Sequence, residues 1–173
     1  MICLRFLFPG KWMAYLMEIK TKRLSIERVR QQNITELTPL LKYQSLFQQA
    51  GLVTVGKVDL VTLRMLAQTE CLLQIRERSR QRLLGLIILL HSYDKTGVAL
   101  AGQYEVGYLL LPQEQHQGYM TEGLNAVCNR LSHSQITVIA EVKGNNSSSI
   151  GVLKRCNFIR TATTPGMIEL WKR

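Results

Sequence analysis

Apolar residues recur along this chain with two different periods, and the changes of period mark its elements. Between Arg23 and Val29 the apolar residues Leu24 and Ile26 fall on alternate positions, the spacing of a strand with one buried face. Asn33 then offers a side-chain acceptor with Glu36 three residues later, and Ile34, Leu37, Leu40 and Leu41 continue at helical spacing, so a helix is expected to start at Asn33. After a break between Gly51 and Gly56, Val58, Val61, Leu63, Leu66 and Ala67 predict a second helix ending near Glu70. Cys71 to Arg76 and Leu83 to His91 read as two strands around a polar turn from Arg78 to Gln81. A loop from Asp94 to Gly102 leads to a strand from Gln103 to Leu111, closed by Pro112. Leu124, Val127, Cys128 and Leu131 place a helix over Tyr119 to Leu131, followed by a strand from Ile136 to Val142. A helix from Ser147 to Cys156, with Ile150, Val152 and Leu153 inward, and a strand from Met167 to Trp171 complete the chain. The order β-α-α-β-β-β-α-β-α-β, without an internal repeat, predicts a single-domain α/β fold.

Length and composition agree with one domain: 173 residues, of which 46% are apolar, suffice for one sizeable core. Regular patterning begins only after Met17, and Met13 and Met17 are both alternative initiators. Residues 1–17 are therefore read as an N-terminal extension or a misassigned start, and residues 18–173 as the domain. The longest apolar run, Leu83 to Leu90, is far shorter than the ~20 residues that cross a bilayer, so no membrane association is expected.

Four cysteines, Cys3, Cys71, Cys128 and Cys156, are scattered without the close pairs of a zinc site or a disulfide framework. Reduced thiols, a cytoplasmic location and no metal site are the expectation; His91 and His133 have no partner spacing that suggests a metal either. The net charge of +10 is uneven, with 14 Lys/Arg against 6 Asp/Glu in residues 1–86 and 8 against 6 in residues 87–173. Such a surface suits an anionic partner (a nucleotide coenzyme, nucleic acid or an acidic protein), and it also serves plain solubility. With aromatic residues at 7% and no stacking motif, a nucleic-acid partner rests on charge alone.

The stretch that carries chemistry is the strand ending at Leu111, the turn from Pro112 to Gln117 and the helix that opens at Gly118. Backbone N–H groups at a helix N-terminus are unpaired and lie at the positive end of the helix dipole, so this arrangement suits a pyrophosphate. Gly118 has no side chain to keep phosphate oxygens away. A single glycine there also fits an ordinary turn.

Three segments occur in order: Glu105, Val106, Gly107 and Tyr108; Gln115 through Glu122 (QHQGYMTE); and Asn146 through Ser149 with Asn157 and Phe158 at the end of the next helix. They resemble the GNAT superfamily of N-acetyltransferases, in particular its RimJ/RimL-like branch, which reads E-I-G-Y, then R/Q-x-x-G-x-G/A with T-E-A, then N-x-x-S with G-F. Thr21 to Ile26 is similar to the branch's first strand, so the resemblance spans about residues 21–171.

The resemblance implies a mixed, splayed central β-sheet flanked by helices, with acetyl-CoA in the opened wedge as co-substrate. It places the pyrophosphate on the amides of Gln115, His116, Gln117, Gly118 and Met120. Leu109 and Leu111 would pair with the pantetheine amides, Asn146 would meet the pantetheine arm, and Ser149 would lie near the thioester sulfur. Glu105 becomes the candidate base, its other reading being a charge paired with an arginine. The tyrosine that many of these enzymes use as acid would fall at Leu153 here, so Ser149 or an ordered water is the expected substitute. Tyr108 is read as packing, Glu122 as a helix-dipole partner, and Glu141 as a lesser base candidate. His116 and Met120 depart from the small residues usual in the branch, and main-chain donors survive both changes because neither is proline.

The expected activity is transfer of acetyl directly to an amine, a protein N-terminus or a small amine, by a monomer or homodimer. Two other readings stand beside it: a degenerate acyl-CoA-binding protein without turnover, supported by Met120, His116 and Leu153, and a basic module that docks on RNA or ribosomes. The segments Tyr43 to Lys57 and Asp94 to Gly102 are expected to shape the acceptor pocket, without a charge pattern that names the acceptor.

Overall fold

The structure, a computed structural model, describes residues 16–52 and 56–173. Eight strands form one mixed sheet in the order β1-β2-β3-β4-β5-β6-β8-β7. The strands are β1 (Glu18–Lys20), β2 (Leu24–Arg28), β3 (Cys71–Glu77), β4 (Leu83–Tyr93), β5 (Ala99–Leu110), β6 (Thr137–Lys143), β7 (Ile159–Thr163) and β8 (Ile168–Lys172). The helices are α1 (Gln44–Gln49), α2 (Leu60–Thr69), α3 (Tyr119–Ser132) and α4 (Ser147–Arg155). Of the first seventeen residues, Leu16 and Met17 are described: Leu16 is fully buried, and the Met17 carbonyl accepts from the Arg28 N–H.

Strand alternation sends the side chains of β5 to two separate cores. Tyr104, Val106 and Leu110 join Leu124, Val127 and Leu131 of α3 and Leu153 of α4 on one face. Leu109 and Leu111 join Phe47, Leu63, Leu86 and Ile88 on the other, under α1 and α2. Each fully buried leucine or isoleucine contributes on the order of 1.5–3 kcal/mol through area removed from water.

Among the described residues β5 and β6 make the one parallel pairing, joined through α3 as a parallel crossover requires. Their register holds for three pairs only, Gln103 with Thr137, Tyr104 with Val138 and Glu105 with Ile139. Beyond Glu105, β5 stays on β4 up to Leu110 while β6 follows β8 up to Lys143. The sheet therefore splays after Glu105.

Local chemistry explains where the elements begin and end. Asp59 caps α2 by accepting from the Thr62 N–H at 2.7 Å, and Asn146 caps α4 by accepting from Ser149 N–H at 3.1 Å. α4 stops at Asn157, left-handed at φ 60°, with the Phe158 N–H returned to the Leu153 carbonyl at 3.0 Å. Asn takes the role that glycine has in the family motif, as expected from its tolerance of this conformation.

The helix expected from Asn33 differs in kind. Gln31–Lys42 is a run of 3-10 turns containing Pro39, which has no N–H to give to an α-helical ladder. Asn33 accepts from Arg30 N–H at 2.6 Å from within this run, and Glu36 pairs with Arg76 at 2.6 Å instead of closing a cap. α1 follows as a separate short helix, and its end packs on β5. The loop from Asp94 to Gly102 is shorter than expected: β5 already starts at Ala99, and Asp94 accepts from the Thr96 and Val98 N–H groups to close a tight turn. The hairpin β7–β8 replaces the single last strand, because β7 is exposed along its length and has no apolar alternation to betray it.

Candidate active site

The turn after β5 is bent by two left-handed residues, His116 at φ 61° and Gly118 at φ 77°, and Gly118 caps α3. A non-glycine residue held there costs about 1–2 kcal/mol. Turns of this kind, ahead of a helix whose first N–H groups have no partner inside it, gather main-chain donors into an anion-binding concavity.

Two ion pairs hold that turn from outside. Glu114 is almost fully buried and pairs with Arg82, which also reaches Glu77 at 3.3 Å. Arg23 donates from Nη1 to the Gln117 carbonyl at 2.9 Å and from Nε to Glu122 Oε2 at 2.6 Å, and its guanidinium lies 4.5 Å from the Tyr119 ring centre. Glu122 also accepts from Thr21 Oγ1 at 2.6 Å and from the Arg23 N–H at 2.9 Å. Burial alone would raise the Glu122 carboxyl, but the hydrogen bonds from Thr21 and Arg23 and the Arg23 charge carry it below its ordinary range. Glu122 is thus a structural strut between the β1–β2 turn and α3.

A cleft of about 410 Å³ opens between this turn, the splayed end of β5 and α4, a volume in the range of small-molecule sites. Of the residues expected to hold a coenzyme, Leu109, Gln115, His116, Gly118, Met120 and Asn146 line it, and so does Ser149. Gln117 sends its carbonyl to Arg23 and its side chain to the Gln113 carbonyl, leaving its N–H as the group it has for an anion.

Leu111 departs from the expectation. Its N–H donates to the Leu84 carbonyl at 2.8 Å and its carbonyl accepts from Glu114 N–H at 2.8 Å, so both main-chain groups are committed away from the cleft. In an antiparallel pair the main chain of alternate residues faces the same neighbour. Leu109 therefore turns its N–H and carbonyl toward β4 as Leu111 does, and lines the cleft without offering them. The main-chain groups on the open side belong to Tyr108 and Leu110; the Leu110 carbonyl accepts from Gln115 Nε2 at 3.3 Å.

Sequence reasoning missed Tyr108, Thr121, Val152 and Arg155, which also line the cleft. Ser149, Val152 and Arg155 stand three apart on α4 and share a face, so helical spacing from Ser149 was the available signal. Arg155 donates from Nε to Thr121 Oγ1 at 3.3 Å and brings a cation to the cleft. Tyr108 lies on the opposite face of β5 from Glu105, as alternation requires, but it does more than pack. Ser149 Oγ donates to Tyr108 Oη at 2.8 Å, and Tyr108 Oη donates to the Ser149 carbonyl at 3.2 Å. Burial pushes the phenol up to about 12.

Glu105 opens into a second, small hollow of about 20 Å³ with Glu141, Gly51 and Leu153 in its wall. Burial, and then the Glu141 charge, raise the Glu105 carboxyl above its ordinary range. Gln49, Tyr108 and Ser149 line both hollows, so the two meet at the splay. Of the segments expected to form an acceptor pocket, the first contributes Leu46, Gln49, Ala50 and Gly51, whereas no residue from Asp94 to Gly102 lines either hollow. Cys71 and Cys128 are buried with thiols pushed up to about 12, and Cys156 to about 11, which makes them core residues. No group of three or more metal-ligating side chains occurs among the described residues.

The family model of the GNAT acetyltransferase domain matches residues 31–159, which span the cleft and both of its walls. The chain belongs to the GNAT acetyltransferase family. Solved structures share the fold across most of both chains. The GNAT domain of S. lividans PAT has a TM-score of 0.75 at 11% identity, covering 96% of this chain and 98% of that one. RimL, a ribosomal alpha-N-protein acetyltransferase solved with coenzyme A, has a TM-score of 0.70 at 14% identity, covering 90% and 97%. Spermidine N-acetyltransferase from Vibrio cholerae, solved with coenzyme A and spermine, has a TM-score of 0.66 at 11% identity, covering 88% and 94%. At these identities the likeness is one of fold. No curated protein sequence matches the chain.

Within this GNAT domain the departures from the branch acquire places. Met120 is buried yet forms part of the cleft wall, and His116 occupies one of the two left-handed positions of the turn. Leu153, where the family's tyrosine would stand, is buried beside the Glu105 hollow.

Proposed function

We propose that this protein is an acetyl-CoA-dependent N-acetyltransferase that moves acetyl directly to an amine, either a protein N-terminus or a small amine. The observation that carries the reading is the splay after Glu105, which joins a cleft bounded by the Gly118 turn and the start of α3 to a hollow with a partly buried carboxylate.

Acetyl-CoA supplies an acetyl group activated as a thioester; the chain supplies the rest. The Gln115 N–H, expected to face the pyrophosphate, is given to the Pro112 carbonyl at 3.3 Å; amides from His116 to Met120, with the dipole of α3 behind them, hold the pyrophosphate, and Arg155 adds a positive charge nearby. The open main-chain groups of Tyr108 and Leu110 pair with the pantetheine amides, and an N–H on this edge of β5 polarises the thioester carbonyl. Glu105 takes the proton of the attacking amine, a role suited to a carboxylate whose burial raises its affinity for protons. Ser149 donates at the sulfur. RimL and the spermidine enzyme act on different amines within this fold, so the fold itself leaves the acceptor open between peptide and polyamine classes.

A second reading, binding of acyl-CoA without turnover, draws on Met120, whose bulk stands in the cleft wall where the branch carries a small residue. One pair of measurements separates the two: a thermal shift with acetyl-CoA, and release of the coenzyme thiol over a panel of peptides and small amines. Stabilisation with amine-dependent thiol release supports the transferase; stabilisation alone supports the binder; neither result would remove the coenzyme from this cleft.

A further inference from the structure

Tyr108 and Ser149 stand where the two hollows meet, and with Gln49 they line both. Their hydroxyls form a closed pair: Ser149 Oγ donates to Tyr108 Oη at 2.8 Å while Tyr108 Oη donates to the Ser149 carbonyl at 3.2 Å. Both protons sit on rotatable hydroxyls, which can turn to a new acceptor without moving a heavy atom. The α4 position one turn beyond Ser149 is Leu153, buried and without a proton to give. β5 thus brings a phenol to a place where α4 offers none.

We infer that Ser149 and Tyr108 form a two-hydroxyl proton donor to the coenzyme sulfur, with Ser149 touching the sulfur and Tyr108 as the positioning residue that aims and resupplies Ser149. The inference rests on the acetyl-CoA reading above. When the thioester C–S bond breaks, its electron pair goes to sulfur, and Ser149 Oγ gives its proton there. Tyr108 Oη turns from the Ser149 carbonyl to Oγ and replaces that proton, and the phenolate takes one from water in the open cleft. The proton that leaves the amine passes through Glu105 to solvent, so the net result is one proton moved from nitrogen to sulfur. A buried phenol pushed up to about 12 holds its proton at neutral pH and reclaims it after each turnover.

Tyr108→Phe removes the hydroxyl and keeps the ring, and Ser149→Ala removes the partner. Each is expected to lower kcat about tenfold or more while the KM for acetyl-CoA changes less than about threefold. Because the two act as one donor, the double variant should be no slower than the slower single variant. A Tyr108→Phe enzyme with wild-type kcat, or a double variant in which the two losses multiply, would overturn the inference. A second measurement needs no turnover: coenzyme A alone is titrated on the protein and its thiolate followed by ultraviolet absorbance. The bound thiol should ionise at lower pH on the wild type than on Tyr108→Phe, and equal ionisation would overturn the pair's role even if acetyl-CoA binds. Absence of coenzyme A binding in a calorimetric titration of the wild type would instead sink the coenzyme reading on which the pair depends.

Discussion

Gly107 of β5 lies directly beneath the Ala50 carbonyl: a Cβ at position 107 would stand 1.9 Å from that oxygen. The contact brings the end of α1 onto β5 beside Glu105, and Gln49, Ala50 and Gly51 thereby wall the smaller hollow. Only glycine permits this approach, which gives a physical reason for glycine in the Glu105 to Tyr108 segment.

Gly107→Ala must therefore push α1 away from the sheet. Overpacking of this kind costs typically about 1–3 kcal/mol, so urea denaturation should show a lowered midpoint. Since α1 and Glu105 separate, turnover should fall while acetyl-CoA affinity, set by the turn around Gly118, changes little. Unchanged stability would mean that α1 does not rest on β5.

Gly118 combines a left-handed backbone with a place in the cleft wall. A Cβ at position 118 would stand 3.5 Å from Arg23 Nη2, so Gly118→Val puts a β-branched residue where φ is positive and crowds the guanidinium that holds the turn, and should weaken acetyl-CoA by more than tenfold, about 1.4 kcal/mol. Gly118→Asn tolerates the backbone better and isolates the effect of the side chain. Equal affinities of the folded variants in calorimetric titration would remove the anion site from this turn.

The strut between Arg23 and Glu122 predicts a pH dependence. The folded Glu122 carboxyl lies below its unfolded value of 4.5, so the unfolded chain binds the proton more readily as the pH falls. Its stabilisation is present above the unfolded value and is lost as pH falls through the folded one. Thermal melts of the wild type should show this acid loss, and Arg23→Ala should blunt it while loosening the turn at Gln117 and weakening acetyl-CoA several-fold. The same acid slope in both proteins would show that Arg23 does not hold Glu122.

Most of the strand and helix order was legible in the chain because its apolar periods were strong. Both faces of β3 and the start of β4 are buried, and α3 carries a clear stripe at Leu124, Val127, Cys128 and Leu131. The 3-10 run looks like an ordinary helix in the sequence because Ile34, Leu37 and Leu40 repeat every three residues, a spacing that suits both kinds of helix, while Pro39 withholds an N–H from an α-helical ladder. At the site, the place of the Gly118 turn and of Ser149 beside one cleft was legible from glycine, caps and motif order. The direction of the β5 main chain could not: it depends on which residues pair with β4, and only that register shows Tyr108 and Leu110, rather than Leu109 and Leu111, facing the opening. Alternation puts Tyr108 opposite Glu105, which reads as packing, yet the splay lets both faces reach one junction.

The proposed transfer depends on Glu105 as its base. Its raised carboxyl means that ionising it in the folded protein costs stability at neutral pH, so Glu105→Gln should melt no lower than the wild type and should bind acetyl-CoA nearly as well. The decisive measurement is the rate of coenzyme thiol release from acetyl-CoA, with one amine acceptor and coenzyme saturating, for the wild type and Glu105→Gln side by side. Amine-dependent release by the wild type, slowed about 10²–10⁴-fold in Glu105→Gln with its acidic limb lost from the pH–rate profile, is the predicted result. Near wild-type release by Glu105→Gln would make Glu105 a structural charge and leave catalysis to positioning of the amine, and no release by the wild type with any amine would contradict the transferase itself.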